Sequence, residues 1–333
     1  MARVVLVTGS SGLVGHALMK VNVASEATKS ETIECEAIEW VGVTSKDADL
    51  RDYDQVMSML KHMSEIHGRI DGIVHLAANV GGLFKNMAQP VEMLEDNLLM
   101  NTNILRAAHA ANIHNVIMCL STCVFPDEIH HYPITAKDLH KGPPHPSNEG
   151  YAHAKRMCEV ATRAYQKQYG RRYFCVVPTN IYGEYDNFDL QNAHVIPALI
   201  HKCWLAKRAS KPFVVAGDGT PLRQFIYSDD LGHLIAWAYA NYTDIETPFL
   251  LCPPDSEVPI SHVVELIAKE FDYADHIVYD TTKPNGQFKK TASSADVERV
   301  YLGPTSPTSP TRIEDGIRQT VAWFTRHIDD ART

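Results

Sequence analysis

No stretch of the 333 residues reaches eighteen uninterrupted apolar positions, so a membrane-spanning helix, which needs roughly twenty, is not expected. Positive charge is also in short supply. The chain carries 31 Lys and Arg against 40 Asp and Glu, a formal net charge of -9, and without an overall basic face neither nucleic acid nor an anionic membrane surface is an expected partner. An anionic small ligand would need its own local basic pocket. The seven cysteines are scattered, odd in number and never spaced Cys-x-x-Cys. That usage argues against a disulfide scaffold and a structural zinc site and fits a reducing, cytoplasmic setting. A secretory leader is not visible either, because residues 3–7, Arg-Val-Val-Leu-Val, already read as a strand. What remains is a chain 45% hydrophobic and only 21% charged, able to bury a large core in one large or two coupled domains.

The first half alternates short β-branched runs with longer amphipathic segments, the sequence form of parallel β-α-β units. Strands are expected at Val4–Thr8, Glu39–Val43, Gly72–Leu76, Val116–Ser121 and Tyr173–Pro178. Crossover helices are expected at Leu13–Ala24, Tyr53–His67, Val91–Ala111 and Gly150–Tyr169. After about residue 185 the rhythm loosens. Helices are suggested at Val195–Ala206, Leu231–Tyr242, Ser261–Phe271 and Ile313–His327, with short strands at Pro212–Val215 and Phe249–Cys252. The run Gly303–Thr311, rich in Pro, Ser and Thr, reads as an exposed loop.

Behind the first strand stands Thr8-Gly9-Ser10-Ser11-Gly12-Leu13-Val14-Gly15, with glycines spaced Gly-x-x-Gly-x-x-Gly. Glycine serves the turn, the close approach of main chain to a pyrophosphate, and the packing of helix on strand. An anionic phosphate then sits on the helix N-terminus. The expected fold is therefore α/β, a Rossmann-like doubly wound parallel sheet with a smaller, mainly C-terminal α+β substrate domain. The division falls at residues 1–185 and 186–333, with segments near 225–253 returning to the sheet. The second strand ends Val43-Thr44-Ser45-Lys46. Two hydroxyls and an amine suit a 2′-phosphate, which favours NADP(H), while Asp47 and Asp49 are the competing acids. Asp49-Leu50 is alternatively placed to flank adenine. The small residues after His75, in Leu76-Ala77-Ala78, let the backbone come close to the nicotinamide half.

Tyr151 and Lys155 lie four apart on one helix face. A nearby cation favours phenolate and would lower the tyrosine pKa, making a useful proton donor near neutrality. Lys155 can also hold the nicotinamide ribose. Leu120-Ser121-Thr122-Cys123 ends the strand before that helix. In a parallel sheet ligands bind at the carboxyl ends of strands, so Ser121 is placed beside Tyr151. Serine, tyrosine and lysine in this order, behind this glycine loop, form one donor set for a carbonyl oxygen.

On these residues the chain resembles the extended short-chain dehydrogenase/reductases, and within them the bifunctional 3,5-epimerase/4-reductases of GDP-4-keto-6-deoxy-mannose. The narrower likeness rests on Ala78-Asn79-Val80-Gly81-Gly82, Ser121-Thr122-Cys123-Val124-Phe125-Pro126, Pro178-Thr179-Asn180-Ile181-Tyr182-Gly183, Asp186-Asn187-Phe188, Ala193-His194-Val195-Ile196-Pro197-Ala198-Leu199, Gly286-Gln287-Phe288-Lys289-Lys290-Thr291 and Ala322-Trp323-Phe324-Thr325. The resemblance implies a GDP-sugar substrate, a homodimer through Val91–Ala111 and Gly150–Tyr169, and an acid-base pair, Cys123 and His194, for epimerisation beside a ketone. It adds Pro178, Thr179, Asn180, Ile181 and His194 to the cofactor site, and Asn180, Lys202, Arg223 and Asn285 to the substrate site. By residue chemistry alone, Cys123 could equally be a buried structural cysteine and His194 a helix-cap histidine. Strand alternation from Ser121 would aim Cys123 at the same site.

Two positions depart from the family pattern: Ala216 where a tryptophan often stands, and Asn285 where an aspartate does. Both bear on substrate fit. His130, His131, His140 and His145 are close in sequence, but their spacing matches no usual metal site. The rival functions are a 4-epimerase or dehydratase of the same class, and a non-catalytic dinucleotide sensor. A sensor has no need to keep Ser121, Tyr151 and Lys155 together.

Overall fold

The computed structural model describes residues 2–21, 37–283, 285, 288–303, 306 and 309–333. The expected extension of the first helix over residues 22–24, the pair Gly286-Gln287, and residues 304, 305, 307 and 308 of the Pro/Ser/Thr loop lie outside the described residues.

The first half runs β1 (Arg3–Thr8), α1 (Leu13–Met19), β2 (Ile38–Val43), α2 (Tyr53–His67), β3 (Ile70–His75), α3 (Leu83–Ala88), α4 (Pro90–Ala110), β4 (Asn115–Cys119), α5 (Glu149–Tyr169) and β5 (Arg172–Pro178). Local chemistry sets these bounds. The Asp52 carboxylate caps α2 by accepting from the backbone N–H groups of Asp54 and Gln55. Pro90 opens α4 at its first turn. Gly170 ends α5 in the left-handed conformation, φ 63°.

The second half runs β6 (Asn180–Tyr182), α6 (Val195–Ala209), β7 (Phe213–Ala216), β8 (Leu222–Tyr227), α7 (Ser228–Asn241), β9 (Phe249–Leu251), β10 (Glu257–Pro259), α8 (Ile260–Glu270), β11 (Ile277–Asp280), α9 (Ala295–Tyr301) and α10 (Ile313–Arg326).

The large sheet has the order β2-β1-β3-β4-β5-β9, every neighbouring pair parallel. Its strands alternate between two cores. Val4 and Leu6 of β1 join α2, α4 and α5 in one cluster, whereas Val5 and Val7 join α1, α7 and α9 in the other. This two-sided burial is what makes the strands read as continuous apolar runs. The order reverses between β1 and β3, and that switch point opens the crevice in which such sheets bind ligands. A third cluster, around Phe188, Ile200, Phe213 and Phe324, packs β6, β7 and β8 with α6, α8 and α10. Here β10-β8-β6 form one small sheet and β11-β7 another.

Candidate active site

At the switch point the ends of three strands are tied together. The Ser10 N–H and hydroxyl both reach the Val43 carbonyl, at 3.3 and 3.2 Å. The Leu76 N–H donates to the Thr8 carbonyl at 3.2 Å, and the Ala77 N–H to Thr8 Oγ1 at 3.3 Å. Gly9 has φ 70°, and a Cβ there would stand 2.8 Å from the Ala77 nitrogen. A Cβ on Gly15 would collide with the Gly9 carbonyl, so helix and turn meet at glycine contact distance. Gly12 caps α1 without a side-chain hydrogen bond, and the first turn, with Leu13 and Val14, carries no acid. These features fit a dinucleotide pyrophosphate: open N–H groups, no competing carboxylate, and main chain free of side chains where Ser11 is exposed.

The loop after β2 refines the sequence reading. The Thr44 hydroxyl is not free for a phosphate, because it donates to Asp47 at 2.9 Å and accepts from the Lys46 N–H. Asp47 is thereby committed to the turn. Asp49 is committed as well: Arg51 grips its carboxylate from Nε and Nη2 and holds its pKa below the usual range. Ser45 and Lys46 remain exposed. The Leu50 side chain belongs to the large core cluster, 8% exposed, so it is the backbone there that an adenine would meet.

Beyond the strand ends lies a cavity of about 500 Å³. Ser121, Cys123, Tyr151, Thr179, Asn180, Ile181, His194, Lys202, Arg223 and Asn285 all line it. Pro178 closes β5 just before it. Ala78 and Ala77 continue the chain out of β3 towards Gly81 and Gly82, which also line the cavity.

Two expectations about this centre change. β4 stops at Cys119, and Ser121 caps a short 3-10 helix, Thr122–Val124, by accepting from the Cys123 N–H at 3.4 Å. A tight turn, not strand alternation, therefore brings Ser121 and Cys123 to one cavity. The second concerns Tyr151. Lys155 is 2% exposed, stands 5.7 Å from the Tyr151 ring centre, and spends a hydrogen bond of 2.7 Å on the Cys119 carbonyl. Burial dominates the phenol and pushes its pKa well above the ordinary value, the reverse of the lowering expected from the lysine.

The same desolvation raises the Cys123 thiol and lowers the His194 imidazolium. At rest the two are a neutral thiol and a neutral imidazole, a donor and an acceptor lining one cavity. His194 is the N-cap of α6, but its side chain makes no capping bond, so the ring is left for the cavity. Below the sheet end, His75 is fully buried between Thr8 Oγ1 at 2.7 Å and Asn101 Oδ1 at 3.2 Å, and burial pushes its pKa down to about 3.

Sequence reasoning missed Asn86, Asn148 and Lys290, which share the lining. Lys290 had a signal, standing inside a motif already read as family-like. Burial in the cavity wall lowers the pKa of both its ammonium, against the opposing pull of Cys123 and Asp127, and the Arg223 guanidinium. Ala216 and Asn285 both line the cavity, and Asn285 Oδ1 accepts from the Asp218 N–H at 2.9 Å. Among the described residues no cluster of His, Cys, Asp or Glu could hold a metal ion.

A glycine turn at the switch point and a Ser-Tyr-Lys set at the next strand end define a nucleotide-sugar type of dehydrogenase fold, and residues 5–250 match the NAD dependent epimerase/dehydratase family, to which the chain belongs. Within that family its relatives include GDP-L-fucose synthases. The chain is 41% identical to the GDP-L-fucose synthase of Dictyostelium discoideum over 330 residues, covering 99% of this chain and 98% of the relative. It is also 41% identical to a probable GDP-L-fucose synthase of Drosophila melanogaster, covering 98% and 99%. Among solved structures, a GDP-L-fucose synthetase from Naegleria fowleri bound to NADP superposes with a TM-score of 0.84 at 41% identity, covering 99% of this chain and 95% of that one.

Proposed function

We propose that this protein is a bifunctional NADPH-dependent enzyme that converts GDP-4-keto-6-deoxy-D-mannose to GDP-L-fucose by 3,5-epimerisation and 4-reduction. One observation carries the reading: a carbonyl donor set, Ser121 and Tyr151, shares its cavity with a thiol and an imidazole that plain reduction has no need of. NADPH, when bound at the glycine turn, supplies the hydride for C4. The exposed Ser45 and Lys46, beside acids already committed elsewhere, support the 2′-phosphate form.

The chain's own residues divide the remaining work. Lys202, Arg223 and Lys290 meet the two phosphates of the sugar nucleotide with charge-assisted hydrogen bonds. Ser121 and Tyr151 hold the C4 oxygen, which withdraws electrons and loosens the C–H bonds at C3 and C5. Cys123 and His194 take a proton from one face of such a carbon and return one to the other, the electron pair resting meanwhile on the C4 oxygen as an enolate. After reduction Tyr151 gives its proton to the C4 oxygen, and buried Lys155 balances the phenolate. Asn180 fixes the floor between cofactor and sugar, its amide donating to the Gln224 carbonyl at 2.8 Å.

Exposed apolar side chains on the paired helices α4 and α5, Val91, Leu99, Met157 and Tyr169, support a homodimer through this face. Unpaired thiols at the described cysteines fit a cytoplasmic setting. A second reading, another nucleotide sugar as substrate, is favoured only by Ala216, whose small side chain leaves that wall open.

Turnover in deuterium oxide tests the epimerase half. Label is expected at C3 and C5 of the product, and Cys123→Ser should abolish it while leaving NADPH affinity intact. Product with no label at either carbon would exclude epimerisation.

A further inference from the structure

Arg156 follows Lys155 on α5 and is only 8% exposed. Its Nε donates to the Val124 carbonyl at 2.7 Å, gripping the 3-10 helix that carries Cys123. Its Nη2 is buried with no hydrogen-bond partner. Among the described residues no carboxylate pairs with it, and the neighbour that favours its charge is Cys123. A guanidinium held out of water is costly unless an anion faces it. The group beside it that can become an anion is the Cys123 thiol, one residue from its Val124 anchor.

The groups around Cys123 make the assignment sharper. They are the Ser121 hydroxyl, the Tyr151 phenol, and the cations Lys290, Lys155 and Arg156. Lys155 is committed to the Cys119 carbonyl. Lys290 lines the cavity and is available to substrate phosphate. Arg156 does not line the cavity, so a bound sugar nucleotide leaves its charge in place.

We infer that Arg156 is a positioning residue for Cys123: fixed on the Val124 carbonyl behind the thiol, its guanidinium is the standing counter-charge for the thiolate. The inference rests on the epimerase reading of Cys123. In either direction of proton exchange the S–H bond forms or breaks against a substrate carbon, and the charge left on sulfur is opposed by Arg156. The sulfur thus changes charge without an incoming ion or a solvent rearrangement.

The test is alkylation of Cys123 by iodoacetamide across pH, in the full chain without substrate or cofactor, quantified on the Cys123 peptide by mass spectrometry. Arg156→Gln keeps an N–H donor for Val124 and removes the charge; Arg156→Lys keeps the charge. The alkylation midpoint should rise by about one pH unit in Arg156→Gln, a roughly tenfold slower reaction below it, and stay near wild type in Arg156→Lys. Solvent-deuterium exchange into the sugar should fall with the same order. An unchanged midpoint in Arg156→Gln, or an equal rise in both variants, reduces Arg156 to a pin on the turn and overturns the inference. If Arg156→Gln does not fold, Arg156→Met takes its place beside Arg156→Lys: a raised midpoint in Met with a wild-type one in Lys supports the counter-charge, and a wild-type midpoint in Met, or an equal rise in both, contradicts it. Because the readout needs no turnover, a wild-type protein inert towards the GDP-sugar would sink the proposed function and leave this result standing.

Discussion

Gly82 and Ala193 touch where the β3 loop meets the loop leading into α6: a Cβ on Gly82 would stand 2.8 Å from the Ala193 carbonyl oxygen. The Gly82 N–H already donates to the Asn192 carbonyl at 2.9 Å, and the Asn86 amide clamps the carbonyls of Gly81 and Gly82 at 2.9 and 3.0 Å. The next residue along is His194. Gly82→Ala must push that backbone away, and a displacement of about 1 Å at a reacting group costs on the order of a hundredfold in rate. The expected outcome is a fall of that order in deuterium exchange, with NADPH affinity changed less than about threefold. Wild-type exchange in the variant would show that the contact does not position His194.

The two half-buried cations of the cavity wall should serve the nucleotide and not the cofactor. Replacing Arg223 and Lys290 together by Met removes two charge-assisted contacts, each worth about 1.5–3 kcal/mol. GDP affinity, read by calorimetry, should fall by at least about a hundredfold, with NADPH affinity nearly unchanged. Equal losses for both ligands would place the pair elsewhere in the binding scheme.

Asp186 gives a pH dependence of stability. Its carboxyl is 5% exposed, Oδ2 has no hydrogen-bond partner, and burial raises its pKa from 3.8 to about 7 despite the Asn187 N–H and the Arg332 charge. Because the folded value lies above the unfolded one, the stability this group contributes is full below pH 3.8 and is lost as pH rises through about 7. Thermal scans should therefore show wild type losing stability between about pH 4 and 7 relative to Asp186→Asn, which stays neutral throughout. Parallel curves would mean that Asp186 titrates normally.

The apolar face on α4 and α5 predicts a mass change. Leu99→Glu with Met157→Lys puts charge into a face whose residues are 47% and 50% exposed in the single chain. Sedimentation should give a dimer for wild type and a monomer for the double variant. A wild-type monomer at micromolar concentration would remove the homodimer.

Much of this was legible in the residues. Tyr53–His67 stands where its amphipathic pattern was read, with Asp52 found to cap it, and the strands that carry the site were read to within a residue or two because two-sided burial makes them strongly apolar. Among the short strands Phe249–Leu251 and Phe213–Ala216 were read, but Asn180–Tyr182 and Glu257–Pro259 were not: these are three residues each and exist because β8 pairs with them. Such pairing leaves no periodic signal. Within the site, residue identities were readable and their electrostatics were not. Tyr151 and Lys155 are neighbours as their spacing required, yet burial pushes the phenol's pKa up, with the lysine bonded to the Cys119 carbonyl. Arg156 went unremarked in the sequence, because nothing in the helix pattern signals that its Nη2 is buried without a hydrogen-bond partner.

The central claim is that one cavity both epimerises and reduces a GDP-linked ketosugar. Incubation with GDP-4-keto-6-deoxy-D-mannose and NADPH, with product identified by chromatography and NMR, tests it in a single measurement. The account predicts one NADPH oxidised per GDP-L-fucose formed. Oxidation that yields only the unepimerised 4-reduced sugar, or no oxidation at all, would contradict it.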